Sequence, residues 1–150
     1  MKPFKKILVP SDFSPYAEEA LRTAVDLAVR YDATITIAHA YEPLAYTLPD
    51  GYVLLSPQQH ADVLTAFSKS LASAKSTALA AGARNVETEQ LQGIAASEIV
   101  ERARAGGFDL IVMGTHGRKG FSHVLLGSVA ERVLRHASCP VLVVKVAEQA

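Results

Sequence analysis

Gly114-Thr-His-Gly117-Arg-Lys-Gly120-Phe-Ser-His-Val-Leu-Leu-Gly127-Ser128 lies between two segments of opposite character. Before it runs the apolar stretch Phe108–Met113; after it, Val129–His136 has apolar residues at helical spacing. Strand, glycine-rich loop and helix start, in that order, offer backbone N–H groups and the positive end of a helix to one point in space. A phosphate is the usual guest of that arrangement. Glycines alone are a weak signal, because each can serve an ordinary turn. Here the strand before, the helix after, the spacing and Ser128 at the helix start all agree on phosphate.

On the N-terminal side the chain repeats strand and helix. Lys5–Pro10 is a short β-branched apolar run closed by proline, as expected of a buried strand. Ser11-Asp12-Phe13 makes a turn, and Ser14-Pro15 opens a helix with a capping hydroxyl and proline at its first position. Ala17, Leu21, Ala24, Val25 and Ala28 give that helix one apolar face. Thr34–Tyr41 is a second strand. Glu42–Leu55 has no clear period and carries Pro43, Pro49 and Gly51, so it reads as a loop, long enough for a lid. Pro57–Ala81 is a long helix with the stripe Leu64, Phe67, Leu71, Ala74 and Ala78, stopped by Gly82. Polar alternation in Val86–Leu91 suits a strand at a sheet edge. Ser97–Ala105 is a further helix and Val141–Val146 a last strand, with a short tail behind it.

Strands alternating with helices imply parallel pairing and right-handed crossovers. The expected fold class is α/β: a three-layer sandwich around a five-stranded parallel sheet, as a single domain over 1–150. A strand order of 3-2-1-4-5 puts the reversal between the first and fourth strands, and ligand crevices open at the carboxyl ends of strands at such a reversal. Pro10–Asp12 and Gly114–Gly117 are the segments leaving those two strands. Loop chemistry and expected crevice therefore coincide.

Composition narrows the alternatives. Lys and Arg number 15 against 15 Asp and Glu, which leaves no overall basic field for nucleic acid or an anionic membrane. Cys139 is the only cysteine, so no intramolecular disulfide forms; beside Pro140 it reads as a small buried residue rather than a reactive thiol. Lys2, Lys5 and Lys6 make the start basic, but Ile7–Val9 is far too short for the core of an export signal, and a cytoplasmic location is expected. A Gly-x-Ser-x-Gly elbow, a Cys-x-x-Cys pair and a Gly-x4-Gly-Lys-Ser/Thr loop are all absent from the sequence. His60, His123 and His136 are scattered without zinc spacing. A phosphoacceptor receiver domain would need an acidic pair after the first strand and an aspartate after the third. Ser11-Asp12 supplies one carboxylate and Leu91-Gln92-Gly93 none.

Several residues carry two readings each. Ser128-Val-Ala-Glu131 spells a capping box, so the Ser128 hydroxyl serves either the helix or a phosphate. Asp12 is either a turn carboxylate or an acceptor for ribose hydroxyls. His116 and Arg118 lie inside the loop, able to neutralise phosphate charge or to stand in solvent. His39, in the second strand, reads as a satisfied core histidine.

With these residues in hand, the chain resembles the universal stress protein family over nearly its whole length. The loop matches that family's G-x2-G-x9-G-[ST] signature. Lys6-Ile-Leu-Val-Pro-Ser-Asp-Phe-Ser14, Asp109-Leu-Ile-Val-Met-Gly-Thr-His-Gly117, Gly127-Ser-Val-Ala-Glu-Arg-Val-Leu134 and Cys139-Pro-Val-Leu-Val-Val144 fit as well. The resemblance implies a flavodoxin-like sheet of the adenine nucleotide alpha hydrolase type, in a small cytoplasmic homodimer of the ATP-binding branch. By matching positions, Pro10, Ser11 and Asp12 would line the adenosine side, and Ala40 would meet the adenine through its backbone. Met113 and Gly114 would floor the site, with His116 alongside. Gly117, Gly127, Ser128 and Val129 would hold the phosphates of ATP, ADP or AMP, with any Mg²⁺ bound through phosphate oxygens. Ala130 stands where members often have serine or threonine, which removes one possible hydroxyl contact. Val141–Val146 would pair with its copy across a two-fold axis. The function implied is a nucleotide-binding regulatory module of the stress response; a slow ATPase or autophosphorylating enzyme, or a dimeric interaction protein without nucleotide, are the alternatives.

Overall fold

The computed structural model describes residues 2–42, 45–117 and 126–146. β1 (Lys6–Pro10) is an apolar run in which Ile7, Leu8 and Val9 have no exposed surface. α1 (Pro15–Tyr31) follows a turn: the Ser14 hydroxyl accepts the Ala17 N–H, Pro15 opens the helix, and Asp32 ends it in the left-handed conformation. The expected stripe from Ala17 to Ala28 is buried. β2 (Thr34–Tyr41) returns parallel to β1.

The stretch read as a loop carries structure of its own. β3 (Ala45–Leu48) and β4 (Gly51–Leu54) form a separate antiparallel hairpin, with Leu48 opposite Gly51. Pro49 and Asp50 are its two-residue turn. Pro49 therefore needs no ladder bond, and Gly51 takes a φ of 133° just beyond. Pro49, which argues against regular structure in the sequence, sits in the hairpin turn, and Gly51 begins the strand after it; Pro43 lies outside the described residues.

α2 (Pro57–Ala80) begins with a capping box between Ser56 and Gln59, and buries Leu71 and Ala78 most deeply. β5 (Asn85–Gln92) pairs with β2 along its length and is the expected edge strand. α3 (Ala95–Ala105), β6 (Leu110–Gly114), α4 (Ser128–His136) and β7 (Val141–Val144) complete the order. Several boundaries differ from expectation by one or two residues, among them β1 from Lys6 rather than Lys5, α2 to Ala80 rather than Ala81, and β5 over Asn85–Gln92 rather than Val86–Leu91. α3 starts at Ala95 rather than Ser97, because Ile94 takes the N-cap position without any side-chain bond. β6 starts at Leu110 rather than Phe108, because the Phe108 N–H closes α3 on the Ala103 carbonyl. β7 stops at Val144, two residues short of Val146.

The main sheet is five-stranded and all parallel, ordered β5-β2-β1-β6-β7, which is the expected order with the hairpin counted. α1 and α2 cover one face over Ile7, Val9, Ile35, Ile37 and Val112. α3 and α4 cover the other over Leu8, Ala38, Ile111 and Met113. Each fully buried Ile or Leu contributes roughly 1.5–3 kcal/mol, so both faces are anchored where β1 and β6 run side by side. Among the described residues no helix is long and apolar enough to cross a membrane.

Candidate functional site

The chain leaves β1 toward β2 and β5 on one side, and returns at β6 and β7 on the other. β1 pairs with β2 from Lys6 to Pro10, but with β6 only at Ile7–Leu110 and Leu8–Ile111. Beyond that rung the two strands have no further pairing, and a cavity of about 610 Å³ opens at their carboxyl ends. That size lies within the roughly 300–1,000 Å³ of small-molecule sites. Pro10, Ser11, Asp12, Ala40, Met113, Gly114, His116, Gly117, Gly127, Ser128 and Val129 all line it. So do Ala130, named above for its missing hydroxyl, and Ala17, Ala38, Ala95 and Ile99, which the sequence reading did not single out. Ala95 and Ile99 are one helical turn apart, directly after the Gly93 turn that follows β5; that spacing was the available signal.

The turn after β1 is held from several directions. Asp12 Oδ1 accepts the Ser14 N–H at 3.0 Å, and Ser11 Oγ accepts the Phe13 N–H at 3.1 Å. Phe13 adopts a φ of 64°, which costs an L-residue roughly 1–2 kcal/mol. The turn bonds and the packing of its ring on His39, 4.7 Å between centroids, offset that strain. Asp12 is therefore a turn carboxylate through Oδ1, while Oδ2 lies beneath Gly117, where an added Cβ would come within 2.6 Å. The two loops touch through this carboxylate.

The glycines of the second loop answer to the protein's own atoms. A Cβ at Gly114 would lie 2.8–2.9 Å from Cβ, C and O of Tyr16, so α1 packs directly on the end of β6. The Gly127 N–H donates to the Thr115 carbonyl at 2.6 Å and draws the ends of the loop together. That amide is engaged within the loop itself.

The capping box expected at Ser128 does not form. Gly127 is the N-cap, Ser128 makes no capping bond, and the first intrahelical bond runs from the Glu131 N–H to the Gly127 carbonyl at 2.9 Å. Starting one residue earlier puts Ala130, not Glu131, three places past the cap, and Glu131 instead pairs with Arg135. The N–H groups of Ser128, Val129 and Ala130 precede that first bond, at the cavity wall.

His116 packs on Tyr16, 5.4 Å between ring centroids, with Nδ1 at 3.1 Å from Thr115 Oγ1. Arg118, Lys119, Gly120, Ser122 and His123 lie outside the described residues. His39 is a packed histidine as expected, set between Phe13 and Phe67. Cys139 is half-buried, and burial, with the Asp109 carboxylate adding to it, raises its thiol pKa.

Fold and crevice together define a doubly wound α/β protein with a pocket at its strand reversal. Residues 3–145 match the universal stress protein family, and the chain belongs to that family. It is 39% identical over 145 residues to a universal stress protein of Methanocaldococcus jannaschii, spanning 95% of this chain and 82% of that one. A universal stress protein solved in complex with cAMP has the same fold at a TM-score of 0.75 and 27% identity, over 97% of this chain and 100% of that one. UspA from Lactobacillus plantarum matches at a TM-score of 0.74 and 30% identity, over 96% and 99% respectively.

Proposed function

We propose that the crevice binds an adenine nucleotide, ATP foremost, and that the protein is a regulatory binding module of the stress response. One observation carries this reading. A single cavity joins a main-chain donor–acceptor pair on β2, a carboxylate after β1 and a helix N-terminus after β6, in the order that base, ribose and phosphate require.

The pair on β2 follows from register. Along a parallel strand, N–H and C=O of one residue face the same neighbour, and successive residues alternate. The Thr34 N–H binds the Lys5 carbonyl and the Ala38 carbonyl accepts the Ser11 N–H, so even-numbered residues face β1. The Tyr41 carbonyl, which accepts the Gly93 N–H, faces the other way. Ala40 thus faces β1's side two residues past the rung at Pro10, where β1 has ended. Its N–H and C=O would meet the N1 acceptor and 6-amino donor of adenine, between apolar walls from Ala38, Ala95, Ile99 and Met113.

Asp12 would accept a ribose hydroxyl. The amides of Ser128, Val129 and Ala130 and the Ser128 hydroxyl would hold phosphate, aided by a helix-end charge of roughly +0.5. Gly117 and Gly127 would shape the loop, and His116 would flank it. Alanine at 130 withholds a hydroxyl contact and leaves its amide. Among the described residues no three His, Cys, Asp or Glu side chains gather to hold a metal, so Mg²⁺ would take its ligands from phosphate oxygens. The cAMP complex of the 27%-identical relative supports an adenine guest. The same reading makes the protein a cytoplasmic homodimer joined along β7 and the following Lys145-Val146, where Leu142 and Val146 are each 38% exposed.

Calorimetric titration with ATP, ADP, AMP, cAMP and GTP tests the proposal. Saturable binding of the adenine compounds in preference to GTP is expected. Absence of binding by every adenine compound at millimolar concentration overturns it.

A further inference from the structure

Resting on that reading of the crevice, we propose that His39, on the face of the sheet away from the cavity, is a positioning residue that keeps the Ala40 N–H available to the base. The Ser11 N–H binds the Ala38 carbonyl at 2.8 Å, so the ladder between the β1 exit and β2 is still in register there. Its next rung would bring the Ala40 N–H to the Ser11 carbonyl. Among the described residues that bond is not made. The Ser11 carbonyl lies instead 2.8 Å from His39 Nδ1. A carbonyl only accepts, so Nδ1 carries the proton and donates it.

Packing fixes the ring in that role. Phe13 lies against it at 4.7 Å between centroids, and Phe67 of α2 at 4.4 Å. Strand alternation puts His39 on the side of α1 and α2, while Ala38 and Ala40 line the cavity. Phe13 reaches the ring through its left-handed φ, which gives that strained turn residue a use. A carbonyl oxygen can accept two bonds, so the histidine acts by holding the Ser11 carbonyl turned behind the sheet, away from its neighbour's amide. Without a donor at 39, the Ser11 carbonyl would pair with the Ala40 N–H, add one rung to the ladder and close the base-reading edge. The open pair selects a base with a ring-nitrogen acceptor beside an amino group, as in a 6-aminopurine, over a 6-oxopurine.

His39→Phe keeps an aromatic ring between Phe13 and Phe67 and removes the donor; His39→Asn restores a donor at about the position of Nδ1. Two readouts separate this role from general packing. The first, without ligand, is hydrogen exchange of the Ala40 amide by NMR: open in the wild type and H39N, protected in H39F. The second is the ratio of AMP to IMP affinity. H39F should weaken AMP about fivefold while IMP changes little, and H39N should recover the preference. Should H39F not fold, H39L carries the same comparison. An Ala40 amide already protected in the wild type, or an AMP-to-IMP ratio unmoved by loss of the donor, overturns the inference. If the wild type binds neither nucleotide, the adenine reading falls on its own, and the exchange data still decide the role of His39.

Discussion

Replacing Gly117 by alanine separates two explanations of the loop glycines. One holds that glycine lets a phosphate approach the backbone; the geometry favours another. Gly117 does not have a positive φ, so backbone angle does not demand glycine there. An added Cβ would lie 2.6 Å from Asp12 Oδ2, and the next nearest atom, Asp12 Cγ, is 3.7 Å away. The overlap, about 0.8 Å inside ordinary carbon–oxygen contact, falls on the tip of one flexible side chain. The loop backbone can stay and Asp12 must swing. That swing strains the Oδ1 bond to the Ser14 N–H at 3.0 Å, the bond that helps hold Phe13 in its turn. A hydrogen bond to a charged group is worth about 1.5–3 kcal/mol, so G117A should lower stability by no more than that. If Asp12 grips the ribose, adenosine and ATP should both weaken, by the same factor of about five to ten. A double-mutant cycle with Asp12→Ala, titrating both ligands, is the assay. G117A should have little further effect once Asp12 is gone. Additive losses, or a loss for ATP that spares adenosine, would show that the glycine serves the phosphate and would refute this account.

Gly114→Ala meets Tyr16 backbone atoms at 2.9 Å, which cannot swing aside, so α1 must lift from β6; a loss of about 1–3 kcal/mol in unfolding free energy is expected, read as a lower urea midpoint, and an unchanged midpoint would contradict the close packing. Ser128→Ala should change stability by less than about 0.5 kcal/mol, against about 1 for a lost cap, while weakening ATP more than adenosine; a full capping loss on denaturation would restore the capping box. Burial, with the Asp109 carboxylate adding to it, raises the Cys139 thiol pKa, so less thiolate is present at any given pH. Alkylation at pH 8 should run slower than that of free cysteine and keep rising as pH passes the ordinary thiol value of about 8.5; a rate equal to free cysteine counts against it.

What was legible in the sequence was whatever depends on repetition along the chain. The stripe from Ala17 to Ala28, the apolar runs of β1 and β6, and their alternation with helices suffice for a parallel sheet, its order and the crevice at its reversal. What was not legible depends on where a particular donor or acceptor finds its partner. Ser128 and Glu131 have capping-box spacing, yet the Gly127 N–H closes on Thr115, 12 residues back, and the helix starts one residue earlier. Gly114 and Gly117 look like phosphate glycines, yet the atoms nearest to an added Cβ belong to Tyr16 and Asp12. The hairpin at 45–54 was missed because Pro49 and Asp50 act as a turn only once both short strands pair. The same distinction governs the site itself. A binding crevice is defined less by which polar groups reach it than by which of them the fold has left unengaged. Gly127 reaches it with its amide bonded to Thr115; Ala40 reaches it where the ladder to β1 has ended, with the Ser11 carbonyl facing His39 Nδ1 instead. Sequence spacing places both residues at the rim, and only the hydrogen-bond pattern of the folded chain tells the donor that can serve a ligand from the one that cannot.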